Sequence, residues 1–246
     1  MRRCLTFLLC LFFGFGPVIP AYADLMNVGG ILRYYDELGR QAEEIGLDLS
    51  QFNNQIDFEA LKAQGFTFVM IRLGGRGWGG TGRLYGDRKT QTNLRLAREA
   101  GMKVGAYFYS TAVNTTEAVE EAADAITILD GFPLDLPLYI DMEYSGDYPA
   151  GRSDQLSPGT RADIIEAFCT AVRQAGYEAV LYASEGYLRF DLDSEAVYYL
   201  PIWMASYTVE NRLPQYVKNY SVWQQTDSTY AGGVDGAFDL NIILPS

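Results

Sequence analysis

Residues 138–146 read LYIDMEYSG, an apolar, strand-like run that carries two carboxylates, Asp141 and Glu143, one residue apart near its end. Strand side chains alternate between faces, so the two acids share a face and Met142 takes the other, with about 6–7 Å of strand rise between them. Two more acids hold comparable places: Asp48 ends the run GLDLS, and Asp239 lies in FDLN near the C-terminus. Carboxylates gathered in one place repel one another and lose water. That raises the pKa of at least one and leaves a proton available near neutral pH. A protonated Glu143 beside ionised aspartates is an arrangement suited to cleaving glycosidic bonds. Taken alone, a D-x-E is also common as a strand-end cap, and oxygen ligands suit Ca²⁺ or Mg²⁺. No calcium-loop pattern accompanies these acids, and neither a metal nor a cofactor is expected.

The rest of the composition narrows the chemistry. The 246 residues contain no histidine, so Ser-His-Asp and Cys-His catalysis and His-ligated metals are excluded. Acid–base work then falls to carboxylates, tyrosines or lysines. The net charge of −12 makes nucleic acid or an anionic membrane surface a poor partner. At the N-terminus, Arg2 and Arg3 precede the apolar run LTFLLCLFFGF, and Ala21-Tyr22-Ala23 offers a small-x-small cleavage site. This is the pattern of a secretory leader, residues 1–23, and it implies a secreted or envelope protein with no stable membrane association after cleavage. Removing Arg2 and Arg3 with it takes the charge from −12 to −14. Cys4 and Cys10 leave as well. Cys169, in IIEAFCTAV, shares a helical face with Ile164, Ile165, Phe168 and Val172, and reads as a packed core thiol.

The acids need a scaffold that brings distant strands together. Residues 24–44 read as a lead-in with partial helix, and 45–246 as one domain of alternating strands and helices. Strands are expected at 45–50, 66–74, 103–110, 136–144 and 177–184, with helices over 57–65, 90–101, 115–131 and 159–176. The long helices then stop, and strands follow at 200–207, 220–227 and 237–244. The fold class is α/β: an irregular TIM-like barrel of five β/α units followed by three β-strands. An open doubly wound sheet is the alternative, but GGRGWGG at 74–80 fits neither a dinucleotide nor a phosphate loop. The stretch 74–87 reads as a flexible Gly-rich loop that lines a groove through Trp78 and Tyr85. In a closed barrel the first and last strands are neighbours, so Asp48, Asp141, Glu143 and Asp239 gather at the mouth. Tyr107, Tyr109, Tyr144, Tyr182, Trp203 and Tyr207 stand at strand ends where flat rings with polar tips suit sugar faces. Trp223 reads as core.

These blocks in this order resemble glycoside hydrolase family 25, the lysozyme (N-acetylmuramidase) family. The likeness runs from about Gly46 to the C-terminus, through GLDLSQFNNQIDFEALKAQGFTFVMIRLG, GMKVGAYFYS, LPLYIDMEY, LPIWMASY and VWQQTDSTYAGGVDGAFDLN. It implies hydrolysis of the β-1,4 bond after N-acetylmuramic acid in peptidoglycan glycan strands. Glu143 would be the general acid, Asp141 the stabiliser of a substrate-assisted intermediate, and Asp48 and Asp239 the rest of the acidic cluster, with direct inversion by an activated water as the open alternative. The chain departs from the family at Gln51-Phe52-Asn53-Asn54 and, in the third strand, at Phe108 or Tyr109, departures expected to touch the groove and to bear on substrate preference. A monomer is expected. A catalytically silent glycan-binding barrel is the competing reading. A chitinase-like hydrolase is a third, and Tyr139 and Leu136 count against it, because acids are expected two and five residues before the Asp of D-x-E.

Overall fold

The computed structural model describes residues 24–145, 149–192, 197, 199–207, 213–214 and 220–244. The leader expected at 1–23 lies outside the described residues.

The lead-in is not helical. It forms an antiparallel hairpin of β1 (Asp24–Val28) and β2 (Ile31–Tyr35), turned by Gly29 and Gly30 at φ 65° and 92°. Two consecutive positive φ angles make a tight hairpin turn that Gly-Gly adopts without strain, and this decides against a helix. The hairpin docks on the following domain. Leu32 N donates to Gln64 O at 2.7 Å, and the buried Tyr34 ring meets Trp223 edge-on at 6.0 Å.

Eight strands then close a barrel: β3 (Glu44–Leu49), β4 (Phe68–Arg76), β6 (Lys103–Tyr109), β7 (Leu138–Asp141), β8 (Ala179–Ser184), β9 (Ile202–Ala205), β10 (Tyr220–Thr229) and β11 (Phe238–Ile243). Neighbours run parallel from β3 through β10. The last strand, β11, is antiparallel to both β10 and β3, and so closes the ring. The helices α1 (Phe58–Ala63), α2 (Thr90–Glu99), α3 (Thr115–Leu129), α4 (Pro158–Gln174) and α5 (Glu185–Phe190) follow β3, the β4 region, β6, β7 and β8. Local chemistry starts them. Asp57, Asn114, Ser157 and Ser184 each accept a backbone N–H of the first turn, and Pro158 opens α4.

Two of the boundaries that differ from expectation shape the cleft. The Gly-rich stretch is not a loop throughout: β4 runs on to Arg76, and β5 (Leu84–Gly86) pairs antiparallel against its end. Glycine is required there by close approach. A Cβ on Gly75 would stand 2.8 Å from Tyr109 Cβ and 2.9 Å from Tyr109 O. Strand β7 also stops at Asp141, short of residue 144. Its neighbours nevertheless pin the next step, with Ser110 N donating to Asp141 O (2.9 Å) and Met142 N to Tyr182 O (3.0 Å).

The core has two layers. Leu47, Val69, Ile71, Phe108, Ile140 and Met142 point outward against helices that contribute Leu94, Ala122, Ile165, Phe168 and Cys169. Inside the barrel, Phe68, Met70, Tyr107, Tyr139, Val180, Tyr182, Trp203 and Val222 fill the space. Cys169 is a buried free thiol whose surroundings push its pKa up to about 12, so it packs as an apolar group.

Candidate active site

Alternation along the barrel strands decides what reaches the mouth. On β7 the inward residues are Tyr139 and Asp141; Ile140 and Met142 pack outward, and Glu143 follows inward just past the strand end. On β3 and β11, Asp48 and Asp239 are direct cross-strand partners. All four acids line one cleft of about 640 Å³ at the carboxyl ends of the parallel strands. The six aromatic residues singled out from the sequence line it too, as do Trp78 and Tyr85.

The aromatics divide by exposure. Trp203 is the floor: it is 1% exposed, its Nε1 donates to Asn241 Oδ1 at 2.7 Å, and Tyr182, Tyr139 and Tyr107 pack around it at 4.4–5.6 Å. Tyr107 and Tyr182 are nearly buried as well. Tyr144 and Tyr207 stand open on one rim, and Phe52 and Trp78 on another. Tyr144 is anchored through its hydroxyl to Asp191 and packs edge-on against Tyr187.

The acids are perturbed in one direction. Burial, the Glu143 charge and the Asp48 charge raise the Asp141 carboxyl well above the usual carboxylate range, opposed by the Arg72 guanidinium. Its Oδ1 is buried and has no hydrogen-bond partner among the described residues. The cleft walls and Asp48 push Glu143 up to about 7, although the residue keeps an exposed surface toward the opening. Burial raises Asp48 to about 6, against hydrogen bonds from Asn241 Nδ2 (2.9 Å) and Gln224 Nε2 (2.8 Å). Asp239 is raised to about 8 by burial and by Asp48 and Asp227, and its carboxyl hydrogen-bonds that of Asp48. At neutral pH this leaves protons on Asp239 and on a large share of Glu143, with Asp48 ionised.

The chain after Glu143 is held from behind. Asp154 accepts from Ser145 N (3.1 Å) and Ser145 Oγ (2.6 Å), and Arg161 Nη2 donates to Asp154 O (2.7 Å). Beneath the ends of β4 and β6, the buried Arg76 pairs with Glu121 at 2.8 Å, and Ser110 Oγ donates to the same carboxylate at 2.6 Å.

Sequence reasoning passed over Arg72, Gln224, Asn241 and Asp227. The signal for Arg72 was present: a lone arginine inside the apolar strand FVMIRLG must have a partner, and here Asp87 supplies it at 3.1 Å. For Gln224 and Asn241 the signal was alternation. Trp223 and Leu240 face the core, which turns their polar neighbours into the barrel.

A model of glycosyl hydrolases family 25 matches residues 47–234. Among curated proteins, the chain is 28% identical over 197 residues to an autolytic lysozyme of Clostridium acetobutylicum, covering 80% of this chain and 54% of that protein. It is 24% identical over 189 residues to a probable GH family 25 lysozyme 4 of Dictyostelium discoideum, covering 76% and 77%. Among solved structures, the modular autolysin LytC from Streptococcus pneumoniae, in complex with a synthetic peptidoglycan ligand, superposes with a TM-score of 0.75 at 23% identity, over 89% of this chain and 51% of that one. A family 25 glycosyl hydrolase from Bacillus anthracis superposes at 0.69 with 19% identity, over 83% and 90%. The chain thus spans about half the length of the clostridial and pneumococcal proteins.

Proposed function

Because the chain belongs to glycosyl hydrolases family 25, we propose that it is a secreted lysozyme that hydrolyses the β-1,4 bond between N-acetylmuramic acid and N-acetylglucosamine in peptidoglycan, acting as a monomer. The observation that carries this reading is a single one: Glu143, raised to about 7, faces the same cleft as the buried Asp141, whose Oδ1 has no partner among the described residues. The names of the clostridial and Dictyostelium relatives, both lysozymes, agree with it. The N-terminal leader pattern supports secretion.

In the mechanism we favour, the neutral Glu143 carboxyl gives its proton to the glycosidic oxygen as the C–O bond breaks. The carbonyl oxygen of the 2-acetamido group closes on the anomeric carbon and forms an oxazolinium ion. Asp141 accepts the acetamido N–H. This gives Oδ1 the donor it lacks and favours the carboxylate form, which offsets the positive charge. The Glu143 carboxylate then takes a proton from water, which adds to the anomeric carbon and reopens the acetamido group with net retention. Asp48 and Asp239 complete the acidic cluster that tunes Glu143. The open rings of Tyr144, Tyr207, Phe52 and Trp78 offer faces for sugars on either side of the scissile bond. Carboxylates and water supply every proton, so the scheme calls on no cofactor.

Mass spectrometry of purified peptidoglycan digested by the protein, with and without borohydride reduction of the products, tests this. Disaccharide-peptides ending in reducible N-acetylmuramic acid are expected. Products ending in N-acetylglucosamine would move the cleaved bond. Absence of products from folded protein would leave a glycan-binding barrel.

A further inference from the structure

Gln224, on the inward face of β10, uses its whole hydrogen-bonding capacity inside the cleft. Its Oε1 accepts from the Tyr182 and Tyr207 hydroxyls, each at 2.8 Å. Its Nε2 donates to Asp48 Oδ2 at 2.8 Å and to Asp239 Oδ2 at 3.2 Å. A side-chain amide has two acceptor lone pairs and two N–H donors, so all four are taken, and the two phenols settle which way the amide faces. The side chain is buried, and one of the rings that orients it, Tyr207, is 52% exposed at the rim.

We propose that Gln224 is the positioning residue of the acidic site: held by Tyr182 and Tyr207, it clamps the Asp48 and Asp239 carboxyls together and sets the negative charge that they present to Glu143. This rests on the reading of Glu143 as the acid. The physical step is short. An N–H donated to a carboxylate favours the ionised form. Gln224 therefore keeps Asp48 charged while Asp239 retains the proton that the pair shares, and the Asp48 charge opposes ionisation of Glu143. Asn241 Nδ2 also donates to Asp48 Oδ2, at 2.9 Å, so the pair is not stripped of donors when Gln224 is replaced. Among the described residues, the other titratable or charged groups that line the cleft with the pair are Arg72 from β4, Tyr85 from β5, Tyr107 and Tyr109 from β6, Asp141 and Glu143 from β7 and its end, Tyr182 from β8, Tyr207 beyond β9 and Asp227 on β10. A Gln224 substitution removes none of these groups, and among them only the Tyr182 and Tyr207 hydroxyls lose a hydrogen-bond partner to it.

The test is a carboxyl ¹³C NMR titration of aspartate-labelled protein, wild type against Gln224→Met and Tyr207→Phe, paired with kcat/KM against pH on soluble peptidoglycan fragments. In Gln224→Met the Asp48 midpoint is expected to rise by about one pH unit. With less charge beside it, Glu143 loses its proton more readily, so the alkaline limb of kcat/KM moves to lower pH. Tyr207→Phe, a change at the open rim, is expected to shift both in the same sense by less, and it answers the question even if Gln224→Met does not fold. Unmoved Asp48 and Asp239 midpoints in folded variants would overturn the inference and reduce Gln224 to packing. The midpoints are read without substrate. A protein that cleaves no peptidoglycan therefore leaves this test standing, whereas unmoved midpoints in an active enzyme remove this inference alone.

Discussion

Arg72 and Asp87 form an ion pair at the cleft wall, Nε to Oδ2 at 3.1 Å, with the guanidinium 4.9 Å from the centre of the Phe52 ring. Asp87 is itself fixed by the backbone N–H groups of Gln51 (2.6 Å) and Lys89 (2.9 Å). Among the described residues Arg72 is the cation that lines the cleft, and its field lowers the carboxyls of Asp48, Asp141 and Glu143 together. Replacing it with methionine removes that field, so all three titrate at higher pH. A rate that needs Asp141 ionised and Glu143 protonated is bell-shaped in pH. Both limbs are expected to move up in Arg72→Met, with a lower maximum, while Arg72→Lys shifts them less. Rate profiles on soluble fragments check this, and limbs that stay in place would remove Arg72 from the electrostatics of the site.

Glu143→Gln keeps the shape of the side chain and removes its proton. General acid catalysis is typically worth about 10²–10⁴-fold, and a loss of at least that size in kcat is expected with folding intact. Asp141→Asn should also cut turnover severely, because an amide cannot offset the charge of the intermediate. Circular dichroism alongside reducing-end release separates chemistry from folding. Wild-type turnover in either variant would reassign the residue.

The same acids make stability depend on pH with a definite sign. Asp48, Asp141, Glu143 and Asp239 have folded pKa values above those of an unfolded chain. Between the two values the folded protein binds more protons, so stability falls as pH rises through about 6 to 8. Glu117, bonded by Arg152 at 2.6 and 2.8 Å, is lowered and contributes the opposite slope on acidification. Thermal midpoints are therefore expected to be highest in mildly acidic buffer and to decline toward pH 9. Asp141→Asn should flatten the decline and be several degrees more stable than wild type at the alkaline end, at about 2–4 °C per kcal/mol for a chain of this size. Scanning calorimetry across pH measures it. A variant that parallels wild type at every pH would mean Asp141 carries no strain.

The barrel was legible because its strands are apolar runs punctuated by glycine and cap residues, and because Asp48, Asp141 and Asp239 break those runs at matching ends. The position of Glu143 followed from alternation alone, even though β7 ends two residues earlier. What escaped was decided by tertiary contact. Residues 74–87 have loop composition, yet Gly74 and Gly75 are glycine because Tyr85 and Tyr109 leave no room for a side chain, and that crowding is invisible until β4, β5 and β6 are side by side. The lead-in differs from expectation for a local reason: Gly29-Gly30 is a two-residue hairpin turn between the short runs DLMNV and ILRYY. The amide donors on Asp48 escaped because Gln224 and Asn241 lie 176 and 193 residues away along the chain.

Gly75 offers a test of the cleft wall independent of the acids. It is the cross-strand partner of both Tyr85 and Tyr109. An added Cβ would lie 2.7 Å from Tyr85 Oη, which can swing aside, but also 2.8 Å from Tyr109 Cβ and 2.9 Å from Tyr109 O, which cannot. Gly75→Ala must therefore part β4 from β6 and displace the Tyr109 ring from the cleft. Overpacking of this kind costs about 1–3 kcal/mol, a drop of roughly 2–4 °C in Tm for each kcal/mol. Asp141 and Glu143 are on β7 and beyond, and Asp48 and Asp239 on β3 and β11, so the chemistry should survive better than binding, and KM is expected to rise more than kcat falls. Gly77→Ala is the control: two residues along, its nearest obstacle is Arg83 O at an ordinary 3.6 Å. Equal Tm and KM for the two variants would show that the close approach of Gly75 to Tyr109 does not shape the substrate groove.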